Sequence, residues 1–555
     1  MEEIDPEARF RTHEVTNQPP ALEPWDAWAT DLPLREALAR EGAEWAAPRC
    51  AAYGRRVGGE LMRAGRLANE HRPQLRAFDR YGHRIDAVEF HSAYHKLMAA
   101  AIEAGVTSLG WRETEHEAAN VARMALFYLH NQADQGSACP LTMTCASVAA
   151  LRRAAGPSAE WLPRVLATSY DPRPVPAQQK AGNTIGMGMT EKQGGSDVRA
   201  NTTRAWPLEQ PGGGRSYRII GHKWFLSAPA ADAHLVLAYT EDRLSCFLVP
   251  RFLPDGRHNA VAIERLKDKL GDWSNASAEV EFRNALGWLV GEEGRGIPTM
   301  LEMVALTRQD CVIGSAAIAR QALVRAIHHA RHRSAFGRPL IAQPLMKNVL
   351  ADLALEAEAH LAFAAHLARV VGDAARDPAR RALARVGTAL GKYWVCKRVV
   401  AFVNEAQECL GGNGYIEESV LPRLYRQAPV NSIWEGSGNI QCLDLLRTLS
   451  RHPESRAPLV AELSAARGAC RALDAEVASL GTALDAEVVT PEGQARRLAE
   501  RIAVAWQAAL LWQAGNDFVA DAFCRSRLAG EGGAALGTLP AGVAFDALID
   551  RAFPG

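Results

Sequence analysis

The stretch Gly186-Met187-Gly188-Met189-Thr190-Glu191-Lys192-Gln193-Gly194-Gly195-Ser196-Asp197 decides how the rest of the chain is read. Its Gly-x-Gly opening suggests a dinucleotide fingerprint, but that motif works only with a third glycine and a helix whose N-terminus receives a pyrophosphate. Glu191 stands in the third glycine's place and no helical spacing follows, so a Rossmann fold is excluded. What remains is a glycine-rich loop whose Thr190 and Ser196 hydroxyls and exposed amides suit the polar edge of a flat heterocycle.

The loop also marks a change of hydrophobic period. Residues 1–185 are rich in Ala, Leu and Arg, and Leu97, Ile102, Leu109, Val121, Ala125 and Leu129 fall on helix-like spacings. Residues 186–292 hold short strand patterns at Tyr217-Arg218-Ile219-Ile220, Leu235 to Tyr239, Cys246 to Val249 and Glu279 to Phe282. Helical spacing returns over 293–450, with Leu323, Ile327 and Ala330 on one face and Val395, Val399, Phe402, Ala406 and Leu410 on another. The second of these helices should stop at Gly411-Gly412, because glycine accepts the left-handed conformation that ends a helix. Residues 451–555 form a last Ala-rich helical segment with glycine-rich loops near Gly530. The predicted fold is mainly α with an inserted small β domain: a helical domain behind a partly extended leader, the β domain, a helical bundle and a C-terminal helical domain.

Composition narrows the function classes. With 555 residues, 48% apolar and 23% charged, the chain is globular and long enough for several domains. Lys plus Arg and Asp plus Glu are 63 each, so no overall basic field draws nucleic acid, and any such role needs a local patch. No apolar run of about 18 residues suggests a membrane span. The acidic start Met1-Glu2-Glu3-Ile4-Asp5 lacks the basic and apolar run of a secretory signal, which predicts a cytoplasmic protein. Ten cysteines occur without C-x-x-C or zinc spacing and read as reduced, mostly buried thiols. His116-Glu117 and His328-His329 lack a further ligand at useful spacing, so no metal is expected.

Three more stretches carry chemistry. In Asn431-Ser432-Ile433-Trp434-Glu435-Gly436-Ser437-Gly438-Asn439, a carboxylate precedes glycines that let the backbone turn sharply beside a ligand, which makes Glu435 the candidate base. Gly221-His222-Lys223-Trp224-Phe225-Leu226-Ser227 is a strand end with aromatics and a hydroxyl. Arg333-Ser334-Ala335-Phe336-Gly337-Arg338-Pro339-Leu340 offers a guanidinium, which can hold a phosphate through two bonds.

In this order the pieces resemble the acyl-CoA dehydrogenase family of flavoproteins. Met189 to Asp197 is similar to its Thr-Glu-Pro-x-x-Gly-Ser-Asp flavin loop, and Lys223 to Ser227 to its Lys-x-Trp-Ile-Thr segment. Leu266 to Phe282 resembles its strand pair, Arg333-x-x-Phe336-Gly337 its pyrophosphate-contacting arginine, and Gln407 with Gly411-Gly412-Asn413-Gly414-Tyr415 its second cross-subunit contact. Glu435-Gly436-Ser437 resembles its catalytic Glu-Gly-Thr. The unbroken Met-Thr-Glu-Lys-Gln-Gly-Gly-Ser-Asp, the run Pro429 to Asn439, the leader Thr12-His13-Glu14-Val15 with Asn17-Gln18-Pro19, and the segment after 450 are similar to the family's AidB-type, alkylation-response branch.

The resemblance implies FAD, a homotetramer and α,β-dehydrogenation of an acyl-CoA thioester with Glu435 as base. It implies cofactor contacts from Met187, Gly188, Met189, Thr190, Ser196, Phe225, Leu226, Ser227, Arg333, Phe336, Gln407, Gly411, Ile433, Trp434, Gly436, Ser437, Asn439 and Leu443, with a loop from Ile433 to Leu443 closing on FAD. Lys192 departs from the family's proline, Trp273 stands at a common arginine, and Arg308 occupies the place where some members carry their base. The AidB-type branch further implies binding of double-stranded DNA through residues 451–555 and protection against alkylating agents. That segment holds ten Arg and no Lys against thirteen acids, net −3, so a basic stripe must gather Arg456, Arg467, Arg471, Arg496, Arg497, Arg501, Arg525 and Arg527. A retired enzyme that keeps FAD only for structure is the remaining alternative.

Overall fold

The computed structural model describes Phe10, residues 12–485 and residues 490–554; the acidic N-terminal pentapeptide lies outside them. The first helical segment includes α1 (Ala119–Ala133) and α2 (Ala138–Leu151), both almost wholly buried. It also carries a two-stranded hairpin, Gln74–Phe78 against Arg84–Glu89, that the hydrophobic pattern does not announce. These strands contain few β-branched residues and are half-exposed, so they show no clean alternation.

The sheet follows: β1 (Ile185–Gly188), β2 (Arg204–Pro207), β3 (Ser216–Ser227), β4 (Ala233–Thr240), β5 (Arg243–Pro250), β6 (Val261–Leu266) and β7 (Ser277–Val290). Its order is β1-β3-β2-β4-β5-β7-β6, and further pairings of β1 with β4 and of β3 with β7 curl it on itself. Tyr217, Ile219, Val236, Phe247, Val280 and Phe282 fill its interior. Leu235, Leu237, Cys246, Leu248 and Trp288 face the other way, onto Met143, Met300 and Met303 of the helices. β4 and β5 are therefore buried on both faces and read as continuous apolar runs. The register of β3 against β7 shifts between Lys223 and Leu226, a bulge that leaves Phe225 half-exposed.

Beyond the sheet lie α3 (Gly296–His332), α4 (Pro344–Asp373), α5 (Pro378–Cys409), α6 (Gly438–Arg451), α7 (Ala495–Gln513), α8 (Asp517–Arg527) and α9 (Phe545–Ala552). Helix α5 opens as its sequence dictates, with Pro378 in its first turn and the Asp377 carboxylate accepting the Ala379 and Arg380 amides at 2.8 and 3.3 Å. It ends where expected, with Gly411 at a φ of +58°. Leu126 of α1, Ile318 of α3, Phe363 of α4, Phe402 of α5 and Trp506 of α7 belong to one contiguous core, so the first and last helical segments share their interior with the bundle.

One seam in this core is polar. Asp352, Glu356 and Glu358 of α4 are all buried. Arg527 of α8 pairs with Asp352 and reaches Glu356 at 3.2 Å; Arg398 of α5 pairs with Glu356 at 2.6 Å. Arg551 of α9 reaches Glu358 at 2.9 Å and also pairs with Glu36. Among the described residues no helix is long and apolar enough to cross a membrane. All ten thiols are free, and only Cys470 is not fully buried.

Candidate active site and cofactor groove

Glu435 occupies a tight turn between a short helix, Val430–Ile433, and α6, with φ at +59°, a conformation a non-glycine residue keeps only when its surroundings enforce it. Arg308 of α3 donates through Nε to the Glu435 carbonyl at 2.9 Å and is held by Asp444 at 2.7 Å. Gln441 of α6 donates to the carbonyls of Glu435 and Gly436 at 3.2 and 2.9 Å. Lys392 of α5, buried in an otherwise apolar stretch, donates to the carbonyls of Asn431 and Gly436, both at 2.9 Å.

As a whole residue Glu435 is partly exposed, but its carboxyl end is enclosed, with Thr307 Oγ1 2.9 Å from Oε2. Burial pushes the carboxyl above the ordinary glutamate range, against the opposing pull of Thr307, Arg308 and Lys392. Such a carboxylate accepts a proton more readily than an exposed one. It opens on a narrow cavity lined by α1, α2, α3 and Trp434. The Trp434 indole N–H donates to Asn431 Oδ1 at 3.2 Å, which fixes the ring at the cavity wall.

The glycine-rich loop and the end of β3 meet. Met187 pairs with Ser227, and the Trp224 amide donates to the Thr190 carbonyl at 2.8 Å. This gathers Met187, Gly188, Met189 and Thr190 beside Phe225, Leu226 and Ser227. A Cβ at 188 would lie 2.6 Å from Leu226 Cδ1 and 3.1 Å from Lys223 Cγ, so any larger residue there would make Leu226 shift. Sequence reasoning noted Glu191 only as a missing glycine and missed its role. It is buried under the loop, 2.6 Å from both Lys223 Nζ and Thr203 Oγ1, and it accepts the Thr202 amide at 2.7 Å. Burial raises its pKa, but Lys223 and the added donors more than offset this and hold it down at about 2.

The stretch expected as a loop from Ile433 to Leu443 is a loop only as far as Ser437. Helix α6 begins at Gly438, so Asn439 and Leu443 lie on its first two turns, and Arg496 of α7 donates to Asn439 Oδ1 at 2.9 Å. Arg333 and Phe336 sit on a small hairpin, Ser334–Ala335 against Arg338–Pro339, with Phe336 at its tip 97% exposed. Gln407 is buried and donates to the Gly414 carbonyl at 3.0 Å, while Gly411 is open to solvent.

Among the described residues, the side-chain hydroxyls of Thr190, Ser196 and Ser437 have no hydrogen-bond partner, and Phe225, Ile433 and Phe336 are at least half exposed. Unclaimed hydroxyls beside uncovered apolar faces fit a flat aromatic group with polar edges, which FAD has. Among the described residues no group of three or more His, Cys, Asp or Glu is placed to hold a metal.

The departures noted in the sequence have structural roles. Lys192 lies against the Trp224 ring, 5.4 Å from its centre. Trp273 is sandwiched between Arg72 and Arg426, 3.4 and 3.9 Å from the ring centre. Of the eight arginines expected to form a DNA stripe, Arg501, Arg525 and Arg527 are ion-paired within the chain. Arg456 and Arg496 donate to Leu449 O and Asn439 Oδ1. Only Arg467, Arg471 and Arg497 are left without a partner among the described residues.

Known families match residues 17 to 450 in three successive segments. Residues 17–172 match the family model "Adaptive response protein AidB N-terminal domain". Residues 186–285 and 294–450 match the middle and C-terminal domains of acyl-CoA dehydrogenase. The Escherichia coli (strain K12) protein named "Putative acyl-CoA dehydrogenase AidB" is 51% identical over 444 residues, 80% of this chain and 81% of that one. The structure of Caenorhabditis elegans ACDH-11 in complex with C11-CoA superposes with a TM-score of 0.84 at 25% identity, covering 95% of each chain. An acyl-CoA dehydrogenase complexed with FAD from Bacillus anthracis shares the fold at 17% identity, with a TM-score of 0.62 over 83% of each chain. This chain thus belongs to the acyl-CoA dehydrogenase family, in its AidB-type branch.

Proposed function

We propose that this protein binds FAD and oxidises an acyl-CoA thioester between its α and β carbons, with Glu435 as the base. The observation that carries this reading is the enclosed Glu435 carboxyl, raised in pKa by burial and opening on a cavity beside a surface that fits a flavin. Bound FAD supplies the hydride acceptor. Glu435 takes the α proton on its free carboxylate oxygen, Oε1, while Thr307 keeps Oε2 in position. Trp434 closes one wall and keeps bulk water from the carboxyl. Thr190 and Ser227 bond the ring's polar edge, Phe225 packs on its face, and Arg333 takes the pyrophosphate.

Assembly as a homotetramer fits the same picture. Phe336 and Tyr415 are 97% and 84% exposed at the segments whose resemblance implies cross-subunit contact. Duplex-DNA protection without thioester turnover is the second reading, favoured by the AidB-type N-terminal match, but the committed arginines of the last segment leave it few charges.

The test is an anaerobic visible spectrum of the purified flavoprotein titrated with acyl-CoAs, for wild type and Glu435→Gln. Bleaching by a thioester in the wild type alone supports the reading. A flavin that no thioester reduces overturns the dehydrogenase function, and a protein that takes up no FAD overturns the cofactor.

A further inference from the structure

The cavity beside Glu435 offers more hydrogen bonding than a plain alkyl chain uses. Most of its polar side chains are already paired. Thr142 donates to Asp310, which Arg123 clasps through both carboxylate oxygens. Asn431 is matched at both ends, donating to Ser315 at 3.1 Å and accepting from Trp434.

Three are not fully paired. Asn131, near the end of α1, and Gln135, four residues on, line the cavity and are each only 4% exposed. Asn131 Nδ2 donates to the Phe127 carbonyl at 2.8 Å, and Gln135 Nε2 donates to the Asn131 carbonyl at 2.5 Å. A carbonyl partner admits only the amide nitrogen, so the orientation of both groups is fixed. Their oxygens, Asn131 Oδ1 and Gln135 Oε1, accept no hydrogen bond among the described residues. Gly314 keeps this wall clear, since a Cβ there would crowd Asn131 Oδ1 at 3.1 Å. Gln427 borders the same space, and its Oε1 is taken by the Asp272 amide at 2.6 Å, which leaves its NH2 as a donor.

We propose that this pocket selects a short acyl thioester whose chain carries a hydroxyl group, received by Asn131, Gln135 and Gln427. The proposal rests on the acyl-thioester reading above and adds the substrate's class to it. A hydroxyl donates its one proton to either the Asn131 or the Gln135 oxygen and accepts from the Gln427 NH2, two bonds that an alkyl chain cannot make. An alkyl chain of the same length expels the water that would otherwise serve these groups and leaves them buried and unpaired. Sites built to bond a hydroxyl discriminate steeply against the analogue lacking it. The space that a water-sized group can occupy beside these amides is only about 20 Å³, room for little more than one hydroxyl, which keeps the chain that carries it short.

The test is calorimetric binding to the FAD-loaded protein of two esters that already carry the α,β double bond and undergo no dehydrogenation, pent-2-enoyl-CoA and 5-hydroxypent-2-enoyl-CoA. Wild type should bind the hydroxylated ester at least about ten-fold more tightly. The Asn131→Leu, Gln135→Met double variant should lose that preference while binding the alkyl ester more tightly. Equal affinity of the two esters for wild type overturns the proposal and leaves the thioester reading standing. Failure of both esters to bind overturns the two together. Should the double variant not fold, the wild-type pair still decides.

Discussion

Asn17 and Ser334, 317 positions apart, exchange two hydrogen bonds: Asn17 Nδ2 donates to the Ser334 carbonyl at 2.8 Å and the Ser334 amide donates to Asn17 Oδ1 at 2.7 Å. The Asn17 carbonyl also accepts from Arg333 Nη1 at 2.7 Å. The leader thereby fixes the hairpin that presents Arg333 and Phe336. Asn17→Ala should leave the core intact, with an exposed-site loss of about 1 kcal/mol, and should weaken FAD retention several-fold. Equilibrium dialysis of FAD checks this, and unchanged retention would show that the hairpin holds its shape without the leader.

Thr307→Val removes the hydrogen bond that favours the ionised Glu435. The carboxyl pKa, already raised, should climb further, and the rate of flavin reduction should fall at neutral pH and recover as pH rises. A bond to a charged group contributes about 1.5–3 kcal/mol, so the ionisation limb should move upward by roughly one to two pH units. Stopped-flow reduction across pH reads the limb directly.

The same raised pKa makes a stability prediction. In the unfolded chain Glu435 has lost its proton where the folded protein still holds it, so the fold binds more protons in that window. Stability therefore falls as pH rises from the ordinary glutamate range through the raised folded value. A tenfold difference in proton affinity between the folded and unfolded chain is worth about 1.4 kcal/mol. Glu435→Gln should flatten this slope and unfold at a higher temperature than wild type at neutral pH. Melting curves from pH 4 upward would refute this if the two proteins run in parallel.

Lys223→Met leaves the Glu191 carboxylate buried without its cation beneath the glycine-rich loop. Breaking such a pair costs about 3–5 kcal/mol, so denaturant midpoints should drop sharply. Changing both partners, Glu191→Gln with Lys223→Met, should recover part of the loss, because no charge is then left unpaired.

Phe336→Asp places a charge at a tip that is 97% exposed in the single chain. The variant should remain folded but elute as a smaller assembly in light scattering, with FAD lost in parallel. A variant of native size would remove this hairpin from the subunit contact.

Much of this fold was legible in the sequence because period follows burial. The runs in β4 and β5 and the helical faces of α3 and α5 each show one period over enough residues to be read. The hairpin at 74–89 was not legible, because half-exposed strands leave no alternation to see. At the site, motif residues such as Glu435 and Thr190 announced themselves through neighbouring glycines. Their supports did not. Thr307 and Glu191 reach their partners across 128 and 32 positions of chain, and nothing local marks either. Lys392 left a trace, as a lone lysine in an apolar helical face, and that was the signal available to find it.

The three buried carboxylates of α4 bear on how this architecture is divisible. Their cations come from α5, α8 and α9, so the bundle has given up self-sufficiency at that face. A chain cut after α6 would strand Asp352 and Glu358 without their arginines and uncover the surface that receives Trp506. The C-terminal segment is thus an integral wall of the bundle, since the arginines that neutralise α4 belong to it.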